Sequence, residues 1–207
     1  MSSSPVELTR REQRTVDSRA RILEAAVECL VEEGFSGAST LAIQMRAGVS
    51  RGRLLHHFPS REALLVAASE HLAGERVRDA TERIDTELTE EIGGADRIAR
   101  VVEFMWLTFH EPHYWAAVEL WTAARTNDGI AEALLPNERR LGGVIRASVD
   151  RMWGPDLGGH PRYPQLREQL LTSMRGVALV YAFDRRDPRR DPHIPQWIDT
   201  ARVLLEV

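Results

Sequence analysis

From residue 34 to residue 61 the chain carries Arg46, Arg51, Arg53 and Arg61 together with His56 and His57, and not one Asp or Glu. The whole chain has 31 acidic residues, and an ordinary solvated helical face mixes signs. An acid-free basic run is therefore read as an electrostatic footprint for a polyanion, with a merely solvated surface as the bland alternative. The sharpest part is Ser50-Arg51-Gly52-Arg53. A guanidinium fork can donate to guanine O6 and N7 together, and each good pair is worth about 1–3 kcal/mol of base discrimination. Gly52 between two such forks either lets a duplex come close or is only a tolerated small residue. His56 and His57 follow on the same short segment as further donors. Arg10, Arg11 and Arg14 are three more cations, ahead of the first apolar stripe. All 27 basic residues are arginine, and the net charge of −4 excludes a uniformly basic coat while leaving a local basic face open. A lysine-free chain follows from a GC-rich coding bias, but it makes every cation a planar, permanently charged fork.

Other residues of chemical interest are less decisive. Glu103 interrupts the most apolar run of the chain, and three readings stay open: polar anchor of a pocket, partner of Arg146 or Arg175, or solvent-facing edge. Glu119 repeats the idea more weakly. His110-Glu111-Pro112-His113 brings two imidazoles near each other, but Pro112 breaks a continuous helix and no further His or Cys is near in sequence, so no metal is expected. Arg185-Arg186-Asp187-Pro188-Arg189-Arg190 interleaves its cations with acids and reads as a solvated connector. The single cysteine, Cys29, lies in an apolar stripe; it excludes an internal disulfide and fits a reducing compartment. No nucleophile–base pair, phosphate loop or metal spacing stands out, so no cofactor and no enzymatic activity are expected.

The elements that must position these groups are helical throughout. Ile22, Ala25, Ala26, Cys29 and Leu30 recur at three- and four-residue steps, with Asp17 or Ser18 as the expected cap and Gly34 as the stop. Ser39 caps a short helix over 40–47, beginning at Thr40; Gly48-Val49 turn the chain; Ser50 caps a second short helix to His57. Pro59-Ser60 break again, and a longer helix follows with Leu64, Leu65, Ala68 and Leu72. Helical patterns then run over 95–110, 114–125, 130–153, 166–183 and 194–205, with a Gly/Pro-rich loop at 154–164. No strand-like alternation and no repeat is found. The expected class is all-α. Short helix, Gly turn and short helix form a helix-turn-helix, whose second helix enters the major groove. Ser39, at a helix N-terminus with free backbone N–H groups, and Arg61, at the start of the next helix, suit phosphates. The polar start, Met1 to Pro5, lacks an apolar leader, and no stretch reaches the ~20 apolar residues of a membrane span; a cytoplasmic protein is expected.

As an ordered set these residues resemble the amino-terminal domain of the TetR family of transcriptional regulators. Residues 21–35, from Arg21-Ile22-Leu23 through Gly34-Phe35, are similar to that family's first helix and glycine turn. Residues 47–65, Ala47-Gly48-Val49-Ser50-Arg51-Gly52-Arg53-Leu54-Leu55-His56-His57-Phe58-Pro59 onward, are similar to its recognition helix and the following helix start. His57 matches the family's histidine, and Arg61 stands for its usual lysine. Ser39 replaces a common threonine, Gln44 an alanine, Arg53 a threonine, and Leu55 a tyrosine whose hydroxyl commonly meets phosphate; this set implies an altered operator preference.

The resemblance implies an arm and DNA-binding domain over 1–60 and a regulatory, ligand-binding and dimerisation domain over 61–207. It implies a homodimer on a palindromic double-stranded operator, acting as a repressor that a small amphipathic or aromatic effector releases. The effector pocket is expected among Glu103, Phe104, Trp106, Leu107, His110, Tyr114, Trp121 and Met174. The dimer face is expected on the last two helices, at Met174, Val177, Tyr181, Trp197, Ile198, Ala201 and Leu205, where an intramolecular core is the competing reading. The competing function classes are an all-helical enzyme and a protein–protein adaptor without DNA binding.

Overall fold

The computed structural model describes the backbone of residues 10–88 and 92–207, with side chains from residue 15 except at 72, 75–85 and 87. Its helices are α1 (Arg10–Gly37), α2 (Thr40–Ala47), α3 (Arg51–His57), α4 (Arg61–Glu87), α5 (Gly94–Thr108), α6 (Pro112–Ala124), α7 (Asp128–Gly158), α8 (Tyr163–Val180) and α9 (His193–Leu205), and a single 3₁₀ turn covers Pro188–Arg190. Among the described residues there is no strand. The chain is all-α.

Several helix ends differ from the sequence reading, α8 for example running over Tyr163–Val180 instead of 166–183, and two differences matter most. Helix α1 already begins at Arg10, so Arg10, Arg11 and Arg14 belong to its first turns and not to a leader; their side chains lie outside the described residues. Ser18 does not cap that helix. It lies four residues before Ile22, on the same helical stripe, and is fully buried. The expected loop at 154–164 is likewise shortened, because residues 155–158 make one more helical turn after a break at Gly154.

The chain divides into two compact units. The first comprises Met1–Leu72 and Ala116–Asn137, the second Ala73–Trp115 and Glu138–Val207. The first is built on one apolar cluster: Ile22, Ala26, Cys29 and Leu30 from α1 meet Ile43 of α2, Leu54 of α3, Phe58, and Leu64 and Leu65 of α4, with Leu120 and Ile130 completing it. Burying a side chain of this kind contributes about 1.5–3 kcal/mol. That is why an eight-residue α2 and a seven-residue α3 hold a fixed geometry when neither is long enough to be stable alone.

In the second unit α9 packs on α5 and α8. Trp106, wholly buried, donates its indole N–H to Pro188 O at 2.7 Å. Tyr181 donates to Asp191 Oδ2 at 2.6 Å, and the His193 backbone N–H donates to Asp191 Oδ1 at 2.8 Å. Burial opposes the Asp191 charge, but the bonds from Tyr181 and His193 outweigh it and hold the carboxyl below its ordinary range. Burial, and then the same bond to Asp191, pushes the Tyr181 phenol up to about 12. The charged connector is thus pinned at its end by one buried carboxylate.

Helix α1 is broken near its end at Gly34, whose φ of 69° and ψ of −176° fall in a region essentially reserved for glycine. A Cβ there would also stand 3.1 Å from Glu119 Oε2. Gly34→Ala should therefore lower unfolding stability by about 1–3 kcal/mol, read as a shift of the denaturant midpoint; an unchanged midpoint would show that this backbone geometry is not required.

Candidate nucleic-acid interface

Helix α2 starts on Ser39, whose Oγ accepts from the Ala42 N–H at 3.1 Å. It ends at Gly48, left-handed at φ 62°, whose N–H closes on Gln44 O and Met45 O; only a residue without Cβ makes that turn at no steric cost. Ser50 then caps α3 through the Arg53 N–H at 3.3 Å. Ser39, Thr40 and Ser50 thus stand at the two helix starts, the first two half-buried and Ser50 exposed. The Ser39 and Ser50 oxygens accept from their own helices, which leaves each hydroxyl proton able to donate outward.

Leu54 is buried and orients α3, so that Arg51, Gly52, Arg53, Leu55 and His56 all face outward. Beyond its own stretch of helix, no described residue lies within 4 Å of a Cβ built on Gly52. The described packing therefore does not require glycine there. Leu41 and Met45 on α2, 62% and 72% exposed, add an apolar strip beside the basic groups; apolar contact is how a thymine methyl is read.

The arginines of the acid-free run differ in what they do. Arg51 and Arg53 form no ion pair among the described residues. Arg46, in contrast, reaches back to α1, to Glu32 at 2.9 Å, Glu33 at 3.0 Å and Glu28 at 3.8 Å. The acid-free stretch is thus not acid-free in space at its first arginine. Arg61, expected to suit a phosphate, donates Nε to Ala38 O at 2.9 Å and Nη2 to Phe35 O, and its guanidinium stacks 4.2 Å from the Phe35 ring centroid. It clasps the chain's own backbone at the α1–α2 corner. Glu119, considered for a pocket, belongs to the same corner, accepting from the Phe35 N–H at 2.8 Å.

His57 is half-buried and its Nε2 lies 2.8 Å from Ser18 Oγ, while Ser18 donates its own proton to Thr15 O at 2.9 Å. Burial, and then the positive neighbours His56, Arg53 and Arg19, lower the His57 pKa. Ser18 and Arg19, the latter 5.4 Å from the Phe58 ring centroid, are site residues that sequence reading missed. The available signal was Ser18's place on the buried α1 stripe.

The other expected sites divide differently. Of the pocket residues, Trp106, Tyr114 and Met174 are buried, Phe104, Leu107 and His110 are half-buried, and Glu103 is exposed, pairing with neither Arg146 nor Arg175. His110 stands in a ring cluster, its centroid 4.4 Å from Trp106 and 4.5 Å from Tyr181. Trp121 belongs to the first unit and packs half-buried on its core. Of the expected dimer face, Met174, Tyr181, Trp197, Ala201 and Leu205 are buried within their own chain, Trp197 donating to Ser173 Oγ at 3.0 Å; Val177 and Ile198 are half-buried.

A short capped helix, a left-handed glycine turn and a second capped helix with two outward arginines define a helix-turn-helix protein. Residues 22–68 match the bacterial regulatory proteins of the tetR family. The HTH-type transcriptional regulator Rv2912c of Mycobacterium tuberculosis is 31% identical over 171 residues, which are 82% of this chain and 85% of that protein. The HTH-type transcriptional repressor AcnR of Corynebacterium diphtheriae is 27% identical over 64% of each chain, so just under two thirds of its length is spanned. Among solved structures, Salmonella enterica GusR superposes with a TM-score of 0.63 at 24% identity, over 97% of this chain and 99% of that one. The multidrug binding protein EbrR, complexed with ethidium, gives 0.60 at 19% identity, over 90% and 97%. The chain belongs to the TetR family.

Replacing Arg53 with Ala should cost about 1–3 kcal/mol of affinity for a selected duplex without changing thermal stability. Gly52→Ala should raise helix stability by about 0.5–1 kcal/mol yet weaken DNA binding. Unchanged binding in a mobility-shift titration of both variants would remove α3 from the interface.

Proposed function

We propose that this chain is a ligand-responsive transcriptional repressor that binds a palindromic double-stranded operator as a homodimer. The observation that carries the reading is the outward row Arg51-Gly52-Arg53 on a capped helix, with neither guanidinium group in an ion pair among the described residues. Base contacts are assigned to Arg51, Gly52, Arg53 and His56. Phosphate contacts are assigned to Ser39, Thr40, Ser50 and His57, and to Arg10, Arg11 and Arg14 at the start of α1. Arg61 supports the head through the corner it clasps. In function the division falls between an arm with DNA-binding segment, 1–60, and a regulatory segment, 61–207. Selection of bound duplexes from a random pool should return a palindrome; recovery of none would favour an adaptor without DNA binding.

The effector is a small amphipathic or aromatic molecule held in the second unit by Phe104, Leu107 and His110, against the buried Trp106, Tyr114 and Met174. The EbrR complex with ethidium supports this class of ligand, since the same fold there accommodates a planar aromatic molecule. Release requires the effector to favour the DNA-incompetent state, because equal affinity for both states shifts nothing.

For the dimer, the apolar groups left outward on α8 and α9 are the candidates. Leu179 on α8 and Val203 on α9 are 44% and 73% exposed, Phe183, three residues past the end of α8, is 81% exposed, and a Cβ on Gly176 would meet no described residue within 4 Å. Val177 and Ile198 lie half-buried on the same two helices. Leu179→Glu with Val203→Glu should convert the dimer to a monomer in sedimentation, with helix content retained. A variant that stays dimeric would place the interface elsewhere.

A further inference from the structure

The His57–Ser18 contact has directional chemistry. A serine hydroxyl has one proton, and Ser18 gives it to Thr15 O at 2.9 Å. Toward His57, 2.8 Å away, its oxygen can therefore only accept, so His57 Nε2 must carry a hydrogen. In the neutral ring Nδ1 is then an acceptor, and it takes no hydrogen bond from the described residues. Ser18 is fully buried, which fixes the ring on α1 at one edge while the residue remains half-exposed at the last turn of α3.

Among the described residues, the neighbours that oppose positive charge on the ring are His56 and Arg53 from α3 and Arg19 from α1. A second proton on His57 is thus opposed in the free protein. An acceptor Nδ1 is also the wrong partner for a phosphate oxygen, which accepts only. A phosphate at this edge reverses both terms: it supplies the missing negative charge and needs a donor at Nδ1.

We infer that the DNA-binding head takes up a proton when it closes on a duplex, at His57, which is neutral when free and an imidazolium donating Nδ1–H to a backbone phosphate when bound. This inference rests on the DNA-binding reading above and adds to it a proton as a linked ligand. Burial and the neighbouring cations hold the free pKa below the ordinary 6.5, and phosphate raises it in the complex. Affinity therefore increases as pH falls through the bound pKa toward the free one, and levels off below the free pKa. The slope between the two is at most about tenfold per pH unit for each head. Ser18 is a positioning residue in this scheme.

The test uses the full chain and a duplex recovered by selection, with affinity followed by fluorescence anisotropy from pH 8 to pH 5.5 at constant ionic strength, for wild type and His57→Gln. Wild type should bind more tightly toward lower pH, and the variant should lose most of that slope. Proton NMR of the His57 ring in wild type, free and bound, should give a higher pKa in the complex; this measurement stands even if the variant fails to fold. A pH-independent wild-type affinity, an equal slope in the variant, or a His57 pKa unchanged on binding would each overturn the inference while leaving DNA binding intact. No binding at any pH would overturn the DNA-binding reading and this inference with it.

Discussion

The backbone of Phe35 is held on both sides by opposite charges. Its N–H donates to Glu119 of α6 at 2.8 Å, and its C=O accepts from Arg61 of α4, whose Nε also reaches Ala38 O at 2.9 Å. Hydrogen bonds to charged groups contribute about 1.5–3 kcal/mol each, whereas exposed ion pairs such as those of Arg46 contribute roughly 0.2–1. The corner is therefore set by this clasp more than by the surface pairs. Gly34 makes the bend possible, and the clasp selects one geometry from those the bend allows. Ser39 follows immediately, so the start of α2, and through Gly48 the direction of α3, depend on it.

That dependence changes how the cations of the head are understood. Along the sequence Arg46, Arg51, Arg53 and Arg61 form one acid-free group. In the fold they split into two that hold the head together and two that face outward. Arg46 is neutralised by three glutamates of α1, and Arg61 satisfies carbonyl groups at a chain corner. The outward potential comes from Arg51 and Arg53, with the histidines behind them. Net charge and linear runs describe steering of a polyanion, but contact chemistry belongs to the groups that folding has not already used.

Much of the head was legible because local rules decide it. Ser39 and Ser50 as caps, Gly48 as the turn and Pro59-Ser60 as the break gave α2 the range 40–47 and ended α3 at His57, and the structure agrees. The TetR likeness had the same source. What was not legible depended on pairing across sequence distance. Nothing near Arg61 announces Phe35 and Ala38, nothing near Arg46 shows that 28–33 folds beside it, and Ser18 read as a cap because serine favours caps, although its place on the Ile22 stripe pointed inward. The stripe of Trp197, Ala201 and Leu205 was correctly seen as apolar. Periodicity identifies a face that must be covered without saying whether the cover is the same chain, and here α5 and α8 supply it.

The lysine-free composition matters at one position more than at the rest. At residue 61 the side chain donates to two carbonyl oxygens three residues apart while its guanidinium carbon sits over the Phe35 ring. An ammonium is a compact point charge that hydrates strongly and stacks poorly; a planar guanidinium fork does both tasks at once. Coding bias accounts for arginine being present, but the geometry makes it hard to replace. The outward arginines gain differently, since fork geometry there serves base edges instead of carbonyls. One residue type thus supports two functions in the same unit, and what separates them is whether the chain's own backbone reaches the fork before a duplex can.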